Sequence, residues 1–289
     1  MVNDAVLPFV FESLPVRGAI IQLADAWRRL VGDHDYEAPV LEVLGHAAAA
    51  TPLIAQSLKA GSKVTLQITG DGPLSMLVMQ CTSDLYFRGL ASSAGSTAGM
   101  EYADLVADAR CAITVDNDKT ERPYQGIIAV GEDSLAASLE NYYLRSAQIP
   151  SHITLVANER FAGGILLQQM PGAEGDLGDD WVRLGLLAAT LQARDLESGI
   201  DTGLVGRLFA EDDVRVFRHR DAAFRCQCSR DRAANVLKLL GEDECESAIA
   251  DDEQIVVTCE YCGRRQTFDP VDIAGLFADS TAHHSDALH

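Results

Sequence analysis

The sequence predicts an α+β fold: a mixed sheet-and-helix core domain over residues 1–172, a helical linker docked on that core over 173–225, and a small four-cysteine zinc domain over 226–289. Three observations predict it. Alternating β-rich runs come in consecutive pairs joined by turn residues, the pattern of hairpins rather than of strand–helix–strand repeats. After Pro171 the composition shifts, and helical periodicity takes over. Finally, two close cysteine pairs mark the C-terminal section, which is too short to be robust on core burial alone.

Within the core, Lys63–Thr69 alternates, Gly70–Pro73 supplies a turn, and Leu74–Cys81 reads as the return strand of a hairpin. Ala112–Val115 and Gly126–Val130 predict a further strand pair, and the small residues from 91 to 110 between the pairs are helix-permissive. Leu135–Tyr143 has the apolar spacing of an amphipathic helix, and Phe161–Gln168 reads as a strand entered through the pair Gly163 and Gly164. Gly172 to Asp180 is glycine-rich and acidic, hence hinge-like. Asp180 is placed to cap a helix with Trp181, Leu184, Leu187, Ala188 and Leu191 on one face, ended by Gly199. A short second helix gathers Leu204, Val205, Leu208 and Phe209, and Asp212 to Arg225 alternates weakly. These apolar faces need a surface to pack on, so the linker is expected to dock.

In the last section Ser229 is placed to cap a helix with Ala233, Val236, Leu237 and Leu240 on one side and Gly241 as its stop. Gln254–Thr258 predicts a strand, Asp269-Pro270 a helix start, and the tail beyond Asp279 disorder. Residues 242 to 253 hold seven acids and no base.

Composition narrows the function. Hydrophobic residues make up 47% of 289 residues, enough for a packed core, and the formal net charge is -20. Such a surface repels phosphate backbones and anionic lipid, so no nucleic acid and no membrane partner is expected. The first residues lack the basic and apolar regions of a signal peptide, and no uncharged apolar run approaches a bilayer-spanning length. A cytoplasmic location follows, where thiols stay reduced, so seven cysteines point to metal or redox chemistry.

Cys226-Gln-Cys228 and Cys259-Glu-Tyr-Cys262-Gly together offer the four sulfurs that a structural zinc ion takes in a tetrahedron. The alternative, one buried thiol pair and one redox dithiol, fits poorly with the charged and polar neighbours of both pairs. Cys81 and Cys111 read as small buried hydrophobes, and Cys245, in the acidic run, as an unreactive thiol of raised pKa. Zinc-bound sulfurs are thiolates, the form that oxidants attack, and each has another cysteine nearby to close a disulfide. Structural zinc is worth roughly 10–16 kcal/mol in finger-like peptides. Its loss is therefore expected to unfold the C-terminal section and to free the apolar linker faces.

These residues resemble the heat-shock protein 33 family of redox-regulated, ATP-independent holdase chaperones of bacteria. The resemblance is strongest over Phe224–Arg232, Leu240-Gly241 and Val257–Gly263. It continues through Val16-Arg17-Gly18, Leu66–Pro73, Tyr124–Ile127, Tyr142-Tyr143, Gln148-Ile149-Pro150 and Ala162-Gly163-Gly164, and spans residues 6 to 278. It implies one zinc per chain, oxidation to Cys226–Cys228 and Cys259–Cys262 disulfides, binding of unfolding client proteins, and an oxidised homodimer. Gln227, in place of a small residue, and Ser146-Ala147-Gln148, without the acid usual there, depart from the pattern without touching a ligand.

Two rivals compete. A redox-independent zinc-ribbon adaptor would bind protein rather than nucleic acid, since residues 226–289 carry thirteen acids and five bases. An enzyme is disfavoured because a four-thiolate zinc site is closed to substrate, and neither a Gly-x-Ser-x-Gly elbow nor a phosphate loop occurs. His34, His46, His152 and His219 are scattered and read as structural residues.

Overall fold

The structure, a computed structural model, describes residues 3–32, 34–117, 122–130, 133–171 and 177–281. The chain divides into two compact units, Met1–Arg225 and Cys226–His289. Residues 172–176 of the hinge-like stretch and the tail from 282 lie outside the described residues.

The first unit opens with the hairpin β1 (Ala5–Phe11) and β2 (Val16–Leu23), followed by α1 (Asp25–Val31) and α2 (Ala38–Ala55). Next come β3 (Ser62–Thr69), β4 (Leu74–Thr82), β5 (Tyr86–Ser93), the single turn α3 (Tyr102–Leu105), β6 (Arg110–Asn117) and β7 (Tyr124–Ile128). Then α4 (Leu135–Tyr142) passes into a π-helical turn (Tyr143–Ala147), before β8 (Ser151–Ala157) and β9 (Ala162–Gln169). The two hairpins expected from the sequence form, with Ile68 opposite Leu77 and Ala112 opposite Ile127. The helix-permissive stretch from 91 to 110 is helical only over α3. It begins as the end of β5, and Gly95 and Gly99 at positive φ break any longer helix.

Helix α2 contacts strands of both large sheets, which explains a sequence that is apolar on nearly every side. It is long and apolar enough to cross a bilayer by length and composition, although Glu42 interrupts it so that it is not an uncharged run, and most of it is buried between the sheets. Strands β2 and β9 are buried almost without alternation because both of their faces are covered. β9 is entered through Gly163 and Gly164, its second and third residues, as the sequence predicts. A Cβ at Gly163 would lie 2.6 Å from Leu196 Cδ1 and 2.7 Å from the Ile21 oxygen, so only glycine admits the packing.

Within the expected linker the described helices end at Leu208: α5 (Gly178–Ala189), the single turn α6 (Ala193–Leu196) and α7 (Thr202–Leu208). Asp180 lies in the first turn of α5 instead of capping it, and Gly199 follows α6, since the helix already ends at Ala189. Asp201 caps α7 by accepting from the Leu204 N–H at 2.9 Å. Leu184, Ala188, Leu191, Leu196, Ile200, Leu204, Val205 and Phe209 pack into one cluster with Phe9, Phe11, Ile20, Ile165 and Leu167 of the sheet. Gly185 presses against the His152 ring, which stacks on Trp181 at 4.3 Å.

The weakly alternating stretch then forms β10 (Val214–Val216), β11 (Arg220–Asp221) and β12 (Ala223–Phe224). Strands β10 and β11 pair with β1, whose sheet runs β10-β1-β2-β9-β8, while β12 borders the second sheet, β12-β5-β4-β3-β6-β7. Arg220 donates to the Gln56 carbonyl at 3.0 Å and also to the Ser83 carbonyl.

The second unit comprises α8 (Arg230–Leu240), α9 (Glu242–Asp252), the hairpin β13 (Ile255–Thr258) and β14 (Arg265–Phe268), and α10 (Pro270–Thr281). Ser229 caps α8 and Gly241 ends it, as the sequence predicts. Only Ala233 and Leu237 of the expected face are buried; Val236 is 56% and Leu240 55% exposed. The acidic run is a helix, and Cys245 is its buried member.

Candidate metal centre

All four sulfurs of Cys226, Cys228, Cys259 and Cys262 lie within 4.8 Å of one another. Cys226 Sγ is 3.6 Å from Cys259 Sγ, and Cys228 Sγ is 3.4 Å from Cys262 Sγ. A tetrahedron with zinc–sulfur bonds of about 2.3 Å has sulfur–sulfur edges of ~3.8 Å, close to these separations.

Local structure positions each pair. Cys228 sits directly before Ser229, whose hydroxyl accepts from the Arg232 N–H at 3.2 Å and starts α8. Cys259 and Cys262 occupy the turn between β13 and β14. There the Gly263 N–H donates to the Cys259 carbonyl at 2.8 Å, and the Cys259 N–H donates to the Arg264 carbonyl at 2.9 Å. Gly263 has φ +66°, which glycine adopts without a Cβ penalty. Its N–H bonds a carbonyl rather than a sulfur, so its contribution is to the turn.

The donor set fits a soft divalent cation. Burial pushes the Cys228 thiol up to about 12, and the adjoining Cys262 and Cys226 sulfurs push in the same direction. Four thiolates this close would need a positive charge among them, and a soft divalent cation such as zinc would supply it. Among the described residues, this is the only group of three or more histidine, cysteine, aspartate or glutamate side chains placed to hold a metal.

The remaining cysteines lie elsewhere. Cys81 and Cys111 are buried in strands, and burial raises both thiols, Cys111 to about 12. Cys245 packs with Ala233, Leu237, Phe268 and Ile273, and its pKa is raised by burial first and by Glu244 second. The acidic run thus explains only the lesser part of that shift. His46 is driven down to about 4 by burial, and burial also lowers His152.

Sequence reasoning missed the brace of this unit, Arg230. Its guanidinium donates to the Thr267 carbonyl at 2.7 Å and to Asp272 Oδ2 at 2.6 Å, and lies 4.3 Å from the centre of the Phe268 ring. The first turn of α8 is thereby tied to β14 and α10. Asp269-Pro270 announced a helix start, but nothing local paired the Asp272 that follows it with an arginine 42 residues earlier in the chain.

Comparison with known proteins places this geometry in context. The sequence model of the Hsp33 protein family matches residues 4–269. The 33 kDa chaperonin of Methylobacillus flagellatus is 37% identical over 278 residues, covering 96% of this chain and 95% of its own length. The 33 kDa chaperonin of Nitrosococcus oceani is 38% identical over 277 residues, with 96% and 95% coverage. The crystal structure of the Hsp33 homologue of Thermotoga maritima superposes with a TM-score of 0.78 at 21% identity, over 96% of this chain and 99% of that one. At that identity the superposition speaks for the fold.

Proposed function

Since the chain belongs to the Hsp33 protein family, we propose that it is a redox-regulated, ATP-independent holdase chaperone. The observation that carries the reading is the gathering of four sulfurs in a unit with a very small core. Among the described residues five buried side chains, with half-buried hydrophobics packed against them, make a core too small to hold such a unit firmly, so the metal contributes much of its stability. Cys226, Cys228, Cys259 and Cys262 hold one zinc ion in the reduced, inactive state.

A peroxide-class oxidant takes two electrons from each dithiol, and its oxygens leave as water. Cys226–Cys228 and Cys259–Cys262 disulfides form, and with the thiolates consumed these four residues would no longer offer the ligands that hold zinc. The second unit then unfolds and the segment from Gly178 to Phe224 loosens. The apolar faces of α5 and α7, now packed with Phe9, Phe11 and Ile20, become available to unfolding client proteins. The active form is a homodimer, and the protein works in the cytoplasm without nucleic acid or membrane. It is a binder rather than an enzyme, because a closed thiolate site offers substrate no open position.

The test is suppression of aggregation of a heat-denatured client by reduced zinc-loaded and by oxidised zinc-free protein. Zinc release and far-UV circular dichroism are followed on the same samples. Suppression should appear only after oxidation, with loss of zinc and helix. Equal suppression by both forms would favour the redox-independent adaptor instead.

A further inference from the structure

The cover on β1 shows what its outer edge is shaped to bind. Strand β10 runs antiparallel to β1, with Phe9 opposite Val216, Val10 opposite Arg215 and Phe11 opposite Val214. Outside this ladder the Glu12 N–H donates to the Asp213 carbonyl at 2.8 Å, and the Phe217 N–H donates to the Pro8 carbonyl at 2.9 Å. Pro8 and Phe217 therefore form a hydrogen-bonded antiparallel pair, which turns the Pro8 nitrogen toward the linker. A proline there cannot donate outward. It is tolerated only on an edge strand and it weakens whatever strand covers that edge. β11 adds only two further paired residues, Ala5 with Asp221 and Val6 with Arg220.

The side chains of the cover have a definite chemistry. Val214 and Val216 are half-buried against the cluster that contains Phe9, Phe11 and Phe209. Between them Arg215 points outward, its Nε 2.9 Å from Glu12 Oε1 and its side chain 60% exposed. Phe217 follows, 45% exposed. The edge thus holds an extended segment in which apolar residues alternate with a cation. A short strand bordered by exposed residues belongs to the least stable part of a fold and is among the first to open.

We infer that the outer edge of β1 is a docking site for client segments, which add to the sheet as an extended strand in the place that Val214–Val216 occupies in the resting chain. This rests on the redox-switch reading, because oxidation is what frees the covering strand. The resting chain carries its own competitor at an effective concentration on the order of millimolar, which excludes dilute clients. Strand addition draws most of its affinity from main-chain hydrogen bonds and so tolerates many sequences, as a binder of non-native proteins requires. The preferred occupant is an extended client stretch that mixes apolar and cationic residues. A second copy of this chain at the same edge is a different occupant, which the test separates by its dependence on protein concentration.

The test uses the full-length protein and a fluorescent peptide spanning Asp213 to His219. Binding is measured to the reduced zinc-loaded and oxidised zinc-free forms, with aggregation suppression followed on the same samples. The peptide should bind the oxidised form at least tenfold more tightly. N-methylation of its Arg215 and Phe217 amides should cut that binding at least tenfold while leaving the side chains intact, and excess peptide should inhibit aggregation suppression. Hydrogen exchange at the Val10 and Glu12 amides should accelerate on oxidation and slow again with peptide. Aggregation suppression on oxidation without peptide binding, or equal binding by the methylated peptide, would overturn edge docking and leave the switch standing. Peptide-independent protection of the same amides that grows with protein concentration would overturn it in favour of a second copy. Failure of both forms to suppress aggregation would overturn the chaperone reading, and with it the edge's role in client docking.

Discussion

Replacing Phe209 by alanine separates linker docking from the metal. Phe209 is 1% exposed and lies just beyond α7. Its ring meets Phe11 edge-on at 5.1 Å and Phe9 at 5.7 Å, both residues of β1. Truncating a buried phenylalanine costs about 3–5 kcal/mol, of which each aromatic pair accounts for about 0.5–1.5 kcal/mol. Because one partner lies on the linker and the others on the sheet, the cost falls on the docked state. The undocked population should rise by a factor on the order of 10² to 10⁴. Hydrogen exchange of amides in Thr202–Leu208 measures that population, and a colorimetric chelator measures zinc. In Phe209→Ala the reduced protein should keep its zinc, exchange these amides at least a hundredfold faster, and suppress client aggregation without oxidant. If exchange accelerates as stated while the reduced variant stays inactive, exposure of the linker-covered surface is not what creates client binding.

Three further outcomes follow from the same structure. Cys262→Ser removes the sulfur 3.4 Å from Cys228, so zinc content after dialysis against a chelator should fall below roughly half an equivalent per chain, with loss of helical signal and no further response to peroxide. Arg230→Met removes two hydrogen bonds and a ring contact. With the side chain 47% exposed, the loss should be only about 1 kcal/mol, seen as faster zinc transfer to a competing chelator; an unchanged rate would show that the brace is idle. His46 has its pKa lowered by burial to about 4, and burial outweighs the exposed Glu42 carboxylate 3.9 Å away. Above pH ~6.5 the folded and unfolded forms are both neutral there. Between about 6.5 and 4 only the unfolded chain takes up the proton, so stability falls with pH by up to about 3 kcal/mol. His46→Gln should flatten that part of a urea-denaturation series, and an unchanged slope would place the acid sensitivity elsewhere.

What could be read in the sequence was whatever local chemistry decides. The hairpin of β3 and β4 announced itself through alternation and a Gly-Asp-Gly-Pro turn, and the cysteine pairs through spacing alone. Ser229 and Gly241 gave both ends of α8 because capping is a short-range hydrogen-bonding matter. The strands β10 to β12 were not legible, since three-residue and two-residue strands exist only by virtue of β1 and β5, more than a hundred residues away in sequence, roughly. Val236 and Leu240 show a different limit. Periodicity says which residues share a helix face, whereas burial depends on how much surface the neighbours supply, and this small unit supplies little. For α2 the neighbours are plentiful, and a helix sandwiched between sheets loses the amphipathic signature that sequence reading relies on.

The weakness of the second unit is itself a requirement of the proposed switch. Glu242 and Glu246 repel one another four residues apart on α9. Glu253, at the C-terminal cap, places a carboxylate where the helix dipole is already negative, and does so at φ +61°, a conformation that costs a non-glycine residue of order 1 kcal/mol. A unit built for stability would carry glycine at that position and bases in that turn. Here the fold tolerates both defects, and under the proposed switch zinc binding would supply much of the free energy that separates the folded and unfolded states. Thiolate chemistry can then act as a threshold: a well-packed unit would survive loss of its metal, and oxidation would release zinc without moving anything else.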